Sequence, residues 1–178
     1  MRFEIKSYQS VGSIYFGMPR IEVRRILNTS FSEIGNEYDL LSDLMLIDNL
    51  QSEEMNVSDI FDELDIQVVY SSIPPHPCVA VTAYDSVNLI FNNRALFEYS
   101  VASLKSWMEL MDGSFKVSLE TVDFYGLGIS LLTDDYNIFK QEPPKAINSQ
   151  DPYWLRPGMA GMEYSFMNNL MARLNQLL

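Results

Sequence analysis

The chain has 178 residues, of which 47% are hydrophobic and 12% aromatic, so intrinsic disorder is excluded as its main state. Its 24 Asp and Glu residues outnumber its 12 Lys and Arg residues, which gives a formal net charge of −12. A single Cys excludes an internal disulfide, and no apolar run approaches the roughly 20 residues of a membrane-spanning helix. The first residues lack the apolar core of a secretory signal, so the expected location is the cytoplasm.

The first third of the chain contains patterns for a strand and a helix. Apolar and polar residues alternate over 3–5, which predicts a strand. Pro19 suits a first helical turn, and the apolar residues spaced over 21–27 predict a helix that ends near Asn28. The apolar residues within 33–50 indicate a helix or an ordered loop.

The middle of the chain predicts a short helical turn followed by three strands. Residues 58–62 indicate the turn, and the β-branched and aromatic residues over 65–71 indicate the first strand. A proline-rich loop separates that strand from the next one, at 78–84, and a turn at 85–86 leads to the third strand, at 87–91.

The next segment predicts a capped helix and two further strands. Ser100 has the residue type of a helix N-cap, and the apolar residues over 101–111 predict a helix with Trp107 buried in the core. Strands are predicted at 115–122 and 126–132.

These elements together predict an α+β fold, with helices flanking an antiparallel sheet. Residues 1–133 form the predicted core, and a similar strand-turn-helix order at 13–27 and 87–111 suggests two strand-helix-hairpin halves. Residues 134–158, with four Pro, are predicted to connect this core to a C-terminal amphipathic helix at 159–178. That helix would pack on the core or on a partner, including a second copy of the chain, through an apolar stripe formed by Met162, Phe166, Leu170, Leu174 and Leu177.

The negative charge is concentrated in one stretch. Residues 26–93 contain twelve acids and no Lys or Arg, and six of these acids fall within 53–65. This run is either a solvated face or a surface that attracts a basic protein partner. Nucleic acid and anionic membranes are excluded as partners because they carry the same sign of charge. The candidate partner-binding residues are Glu53, Glu54, Asp59, Asp62, Glu63 and Asp65.

Catalytic and metal-binding patterns are missing from the sequence. His76 and Cys78 could point to the same side of an extended segment, but no third group is recognisable that would orient a catalytic pair. Two such residues are too few for zinc, and a calcium-loop pattern that begins at Asp135 fails at Lys140, where a Gly is required. We therefore expect a non-enzymatic protein with no metal and no cofactor.

One local motif resembles a known group of bacterial proteins. Residues 16–19, Phe-Gly-Met-Pro, together with Glu22, Val23 and Leu27, resemble the strand-to-helix entry of small α+β proteins. This entry occurs in outer-membrane-assembly lipoproteins, in folds of the β-lactamase-inhibitor-protein type and in cytosolic proteins similar to immunity proteins of polymorphic toxin systems. The segments 62–70 and 78–81 are similar to the immunity group.

The resemblance implies a protein that binds and blocks a basic protein toxin. Two alternatives stay open at this point. One is an acidic secretion chaperone that acts as a dimer, and the other is a small-ligand binder or an enzyme of unknown class. A dimer through the C-terminal helix would favour the chaperone, whereas a deep pocket with shifted carboxylate pKa values would favour the ligand binder.

Overall fold

The computed structural model describes residues 2–34, 57–71, 74–118, 121–133 and 143–151. Four features of the sequence lie outside the described residues: Glu53 and Glu54, the pattern at Asp135, most of 33–50, and the predicted C-terminal helix. The described helices are α1 (Arg20–Leu27) and α2 (Val101–Glu109), with 3-10 turns at Asp62–Leu64 and Leu96–Glu98. The described strands are β1 (Arg2–Lys6), β2 (Ser10–Val11), β3 (Ile14–Tyr15), β4 (Ser32–Ile34), β5 (Val57–Phe61), β6 (Ile66–Tyr70), β7 (Cys78–Tyr84), β8 (Asn88–Phe91), β9 (Arg94–Ala95), β10 (Phe115–Val117), β11 (Thr121–Phe124), β12 (Ile129–Leu132) and β13 (Ala146–Gln150).

The strands form two sheets. The small sheet has the order β3-β2-β1-β8-β9, and the large sheet has the order β10-β11-β12-β13-β7-β6-β5-β4. Neighbouring strands are antiparallel except for β1 and β8, which are parallel. Two mostly antiparallel sheets with two α-helices agree with the expected α+β class. Both predicted strand-to-helix units begin in the small sheet, with β3 before α1 and β8 before α2.

The core lies on one face of the large sheet, which we call the core face. Val23 of α1, Leu104 of α2 and Phe3 of β1 belong to a single cluster of buried residues with that face. The helices and the small sheet therefore cover the same side of the large sheet. The residues of the large sheet in this cluster are Phe61, Ile66, Val68, Tyr70, Cys78, Val81, Ala83, Val122, Phe124, Ile129, Leu131 and Ile147.

Most predicted elements in the middle of the chain are confirmed. Strands β6, β7 and β8 lie within or at the predicted ranges, and α1 ends at the left-handed residue Asn28. Helix α2 begins after Ser100, whose hydroxyl oxygen accepts a hydrogen bond from the backbone N–H of Ser103 at 3.3 Å. This bond satisfies one of the free donors of the first helical turn.

Several local predictions are wrong. Residues 58–62 do not form a helical turn, because residues 57–61 are strand β5, paired with β4 on one side and β6 on the other. The predicted strand at 115–122 is two strands, β10 and β11, which form a hairpin. Trp107 is only half-buried: its ring is edge-on to Phe91, with centroids 5.9 Å apart, and under the guanidinium group of Arg94.

The largest correction concerns the predicted connecting segment. Strand β13 lies inside 134–158 and occupies a central position in the large sheet, between β12 and β7. Its sequence, AINSQ, contains one β-branched residue and gives little local signal for a strand. Pairing on both sides provides the stability that local propensity does not, so the core continues to at least residue 150.

Gly128 holds a position that another residue cannot occupy without strain. Its φ is +66°, and a Cβ built there would lie 2.6 Å from the ring of Tyr8 and 3.0 Å from the backbone oxygen of Gln150. We expect Gly128→Ala to lower the free energy of unfolding by about 2–4 kcal/mol, through left-handed strain and overpacking. The matched control is Gly113→Ala, since no heavy atom lies within 4 Å of the added methyl group. Chemical denaturation of both variants checks this, and equal stabilities would contradict it.

Candidate functional site

Asp59, one of the six predicted binding residues, lies on the core face and is 0% exposed. Because β5 alternates its side chains, Asp59 points inward with Val57 and Phe61. It therefore cannot belong to the rim of a binding surface, and this part of the prediction is wrong. The sequence shows no cation near Asp59, but the fold brings two arginines of α1 to it.

The carboxylate of Asp59 is held by Arg20 and Arg24. Arg24 donates from Nε to Oδ2 and from Nη2 to Oδ1, both at 2.8 Å, in a bidentate arrangement. Arg20 donates from Nη2 to Oδ1 at 2.6 Å and from Nε to Oδ1 at 3.1 Å. Glu33 of β4 is a second acceptor for both arginines, at 3.2 Å from Arg20 and 2.7 Å from Arg24. Two arginines and two carboxylates thus form a cluster of no net charge.

This cluster shifts the pKa values of its members. Burial raises the pKa of Asp59, but the hydrogen bonds from Arg24 and Arg20 outweigh burial, so the pKa of Asp59 lies below its usual value. The hydrogen bond to Asp59 raises the pKa of Arg24. Burial, followed by the nearby charge of Asp59, raises the pKa of the Tyr70 hydroxyl. Both shifts favour the charged forms of Asp59 and Arg24.

The cluster fastens α1 to the large sheet. The guanidinium group of Arg24 lies 4.0 Å from the ring centroid of Phe31, and that of Arg20 lies 5.5 Å from the ring of Tyr70. The side chain of Arg20 is 12% exposed, so most of this polar contact is shielded from water. Charge-assisted hydrogen bonds in such surroundings are strong, which gives the cluster a structural role.

The remaining described acids of the predicted site lie in the turn that follows β5. Asp62 and Glu63 form part of the 3-10 turn between β5 and β6, and both are exposed, while Asp65 is half-buried at the end of that turn. The turn between β7 and β8 lies beside it and carries the exposed Asp85. We call Asp62, Glu63, Asp65 and Asp85 the acidic end of the large sheet.

Hydrogen bonds connect the two turns of the acidic end to each other and to the rest of the fold. The Ser86 hydroxyl donates to the carboxylate of Asp65, and the backbone N–H of Tyr84 donates to the carbonyl oxygen of Asp65 at 3.1 Å. Thr29 and Ser30 donate to the carboxylate of Glu63, and these two bonds lower the pKa of Glu63. The carboxylates of Glu63 and Asp65 are therefore held in defined positions.

An open pocket adjoins the acidic end. Its volume is about 500 Å³, and Asp65, Tyr84, Asp85 and Lys145 are among the residues that line it. Lys145 immediately precedes β13 and is the only base among the described lining residues. The pocket therefore presents two carboxylates, those of Asp65 and Asp85, to an incoming side chain.

The acidic end carries unbalanced negative charge. The ion pairs between described residues involve Asp59, Glu33, Glu22 and Glu109, and none involves an acid of the acidic end. A set of carboxylates at the surface can attract and orient cationic side chains of another protein. Of the six predicted residues, the structure brings together Asp62, Glu63 and Asp65 and separates Asp59.

Cys78 and His76 do not form a catalytic pair with each other. The Sγ of Cys78 is buried and points to the carbonyl oxygen of Ala80, and burial raises the pKa of this thiol. The Nδ1 of His76 lies 3.0 Å from the carbonyl oxygen of Ser71. Over the described ranges, no group of three or more His, Cys, Asp and Glu residues is placed to hold a metal ion. In the same part of the chain, no helix has the length and apolar character to cross a membrane.

The sequence analysis missed the partners of Asp59 and the position of Asp85. Arg20 and Arg24 fall on one side of a helix, at a spacing of four residues, which is a signal for a shared contact. Asp85 lies twenty residues beyond Asp65, so only the pairing of β6 with β7 makes them neighbours.

Comparisons of the chain with protein-family models, with curated proteins and with solved structures find no match.

Proposed function

We propose that this chain is a non-enzymatic protein-binding module, of the immunity type, that holds and blocks a basic protein toxin in the cytoplasm. The acidic end, formed by Asp62, Glu63, Asp65 and Asp85, is the proposed contact surface. The observation that carries the proposal is that these four carboxylates occupy adjacent turns and have no ion-pair partner among the described residues.

The kind of partner follows from this charge. A cationic surface would be drawn to the acidic end and oriented by it, while a nucleic acid or an anionic membrane would be repelled. The pocket beside Asp65 and Asp85 is wide enough for a Lys or Arg side chain of the partner.

The proposal is tested with the products of the genes that flank the gene of this protein. Each product is expressed in bacterial cells with and without the full chain, and growth is measured together with complex formation between the purified proteins. We expect one basic product that stops growth alone and does not stop it when this chain is present. If every flanking product is harmless, or if the toxic one neither binds the chain nor loses its effect, the proposal is wrong.

A further inference from the structure

The large sheet has a second face, opposite the core face. Neither the core nor the proposed function explains why residues on this face are buried. We call it the outer face. The strand registers place one row of residues on it, which runs from Asp123 of β11 to Gln67 of β6 and continues to Ile60 of β5. The residues between Asp123 and Gln67 are Ser130, Asn148 and Thr82.

The outer face is buried around Thr82 and Ser130, while Asp123, Asn148 and Gln67 are partly exposed. Thr82 is 8% exposed, Ser130 is 3% exposed, and in the neighbouring rows Ala80 and Ala146 are 1% and 3% exposed. Ala80 and Ala146 are buried apolar residues, yet neither belongs to the core cluster that includes α1, α2 and the small sheet. The described elements on the core face therefore do not account for the burial of the outer face.

Two polar atoms of the outer face need a partner. The Oγ of Ser130 and the Oδ1 of Asn148 are inaccessible to water and have no hydrogen bond among the described residues. They belong to directly paired residues on β12 and β13. A buried polar group without a partner costs about 1–3 kcal/mol, so these two atoms favour a covering element that carries hydrogen-bonding groups.

We propose that residues 152–178 of this same chain cover the outer face, with residues 159–177 as a helix laid across it. The described chain ends in the middle of the sheet, where the N–H of Asp151 donates to the carbonyl oxygen of Val79 at 2.9 Å. The segment that follows Asp151 therefore starts beside Ala80, at the border of the buried rows.

The length and the composition of the segment fit this position. A helix over 159–177 would be about 28 Å long, and the row from β11 to β6 crosses four strand spacings, or about 19 Å. Alanine and serine on the outer face let a helix approach closely, and its apolar stripe would contact Ala80, Ala146 and the methyl group of Thr82. The segment contains Asn168 and Asn169, whose side-chain amides could donate hydrogen bonds to Ser130 and Asn148.

The other long segment outside the described residues is less well placed. Residues 35–56 leave from β4, at the edge of the large sheet, and return at β5. Ser130 lies four strand spacings from β5, about 19 Å away. The C-terminal segment, in contrast, starts on β13, the direct neighbour of β12.

Thiol chemistry on the full chain tests the proposal. We expect the thiol of a Ser130→Cys variant to react with a maleimide at least about 100-fold more slowly than that of Ser106→Cys, an exposed position on α2, because labelling requires local opening.

Ser130→Cys is then combined with Met162→Cys, Phe166→Cys, Leu170→Cys or Met45→Cys and oxidised in dilute solution. At least one of the three C-terminal pairs should form a disulfide within one chain. If Ser130→Cys does not fold by circular dichroism, Thr82→Cys in the same row replaces it.

Four outcomes would overturn the proposal. Rapid labelling of Ser130→Cys would show that the outer face is open. A disulfide only with Met45→Cys would assign the face to 35–56, and disulfide-linked dimers would assign it to a second copy. Slow labelling without any disulfide to the three C-terminal positions would also reject the proposed occupant.

Discussion

Replacement of Asp59 by Asn is expected to lower the free energy of unfolding by about 3 kcal/mol, the lower end of the range for breaking a buried ion pair. The variant keeps the shape of the side chain but removes the charge that Arg20 and Arg24 share. Both arginines keep Glu33 as a partner, which limits the loss. Chemical denaturation, monitored by circular dichroism, measures the change.

The matched control is Glu33→Gln, in the same cluster but 37% exposed. Because exposed ion pairs contribute at most about 1 kcal/mol, this control should lose far less stability. A loss of less than about 1 kcal/mol for Asp59→Asn would contradict the structural role of the cluster.

The pH dependence gives a second measurement of the same cluster. The folded-state pKa of Asp59 lies below its unfolded value, so its contribution is complete above the unfolded pKa of about 3.9, decreases below that value, and is lost as the pH falls through the lower pKa of the folded state. The stability difference between the native chain and Asp59→Asn should therefore be constant from pH 5 to 7 and shrink below pH 4. A difference that does not change with pH would show that the charge of Asp59 is not responsible.

Local patterns were sufficient for much of the fold. The sequence alone predicts β6 and β7 from their runs of β-branched residues, and it predicts the start of α2 from the N-cap at Ser100. These signals depend only on residues a few positions apart. The segment 58–62 was mispredicted because its two acids and one Ser are typical of turns. Its strand exists because β4 and β6 pair with it and because Arg20 and Arg24 neutralise Asp59.

Contacts between residues that are distant in the sequence also explain why only some acids of the run 53–65 could be assigned correctly to the surface. A count of charges along 26–93 finds no cation, yet Arg20 and Arg24 precede this stretch and reach Asp59 through the packing of α1 on the sheet. Tertiary ion pairs of this kind join residues 35 and 39 positions apart, beyond any local pattern. The charge count was informative for Asp62 and Glu63, which stay on the surface.

Strand β13 shows the same limit for the fold itself. A strand that is paired on both sides and buried on both faces does not need alternating polarity, and AINSQ has none. Its small and polar residues are suited to close approach by a covering element, a property that has no signature along the sequence.

Removal of three charges from the acidic end is expected to slow association with the proposed basic partner about tenfold at low ionic strength. The variant is Asp62→Asn, Glu63→Gln and Asp85→Asn, which changes three exposed carboxylates and leaves Asp65 with its hydrogen bond from Ser86. Because exposed charges act mainly during the encounter, the dissociation rate should change little. Surface plasmon resonance or stopped-flow fluorescence with the toxic flanking product measures both rates.

The salt dependence separates steering by the acidic end from a general effect of net charge. The Debye length falls from about 10 Å at 0.1 M salt to about 3 Å at 1 M, so the difference between the native chain and the variant should vanish at high salt. The control is Glu4→Gln, Glu98→Gln and Glu109→Gln, which removes three exposed acids elsewhere and should change the association rate much less. If both triple variants slow association equally, the association rate depends on the net charge of the protein and not on where the acids lie. The acidic end is then not the contact surface. If neither does, Asp62, Glu63 and Asp85 belong to a solvated face, and another surface holds the partner.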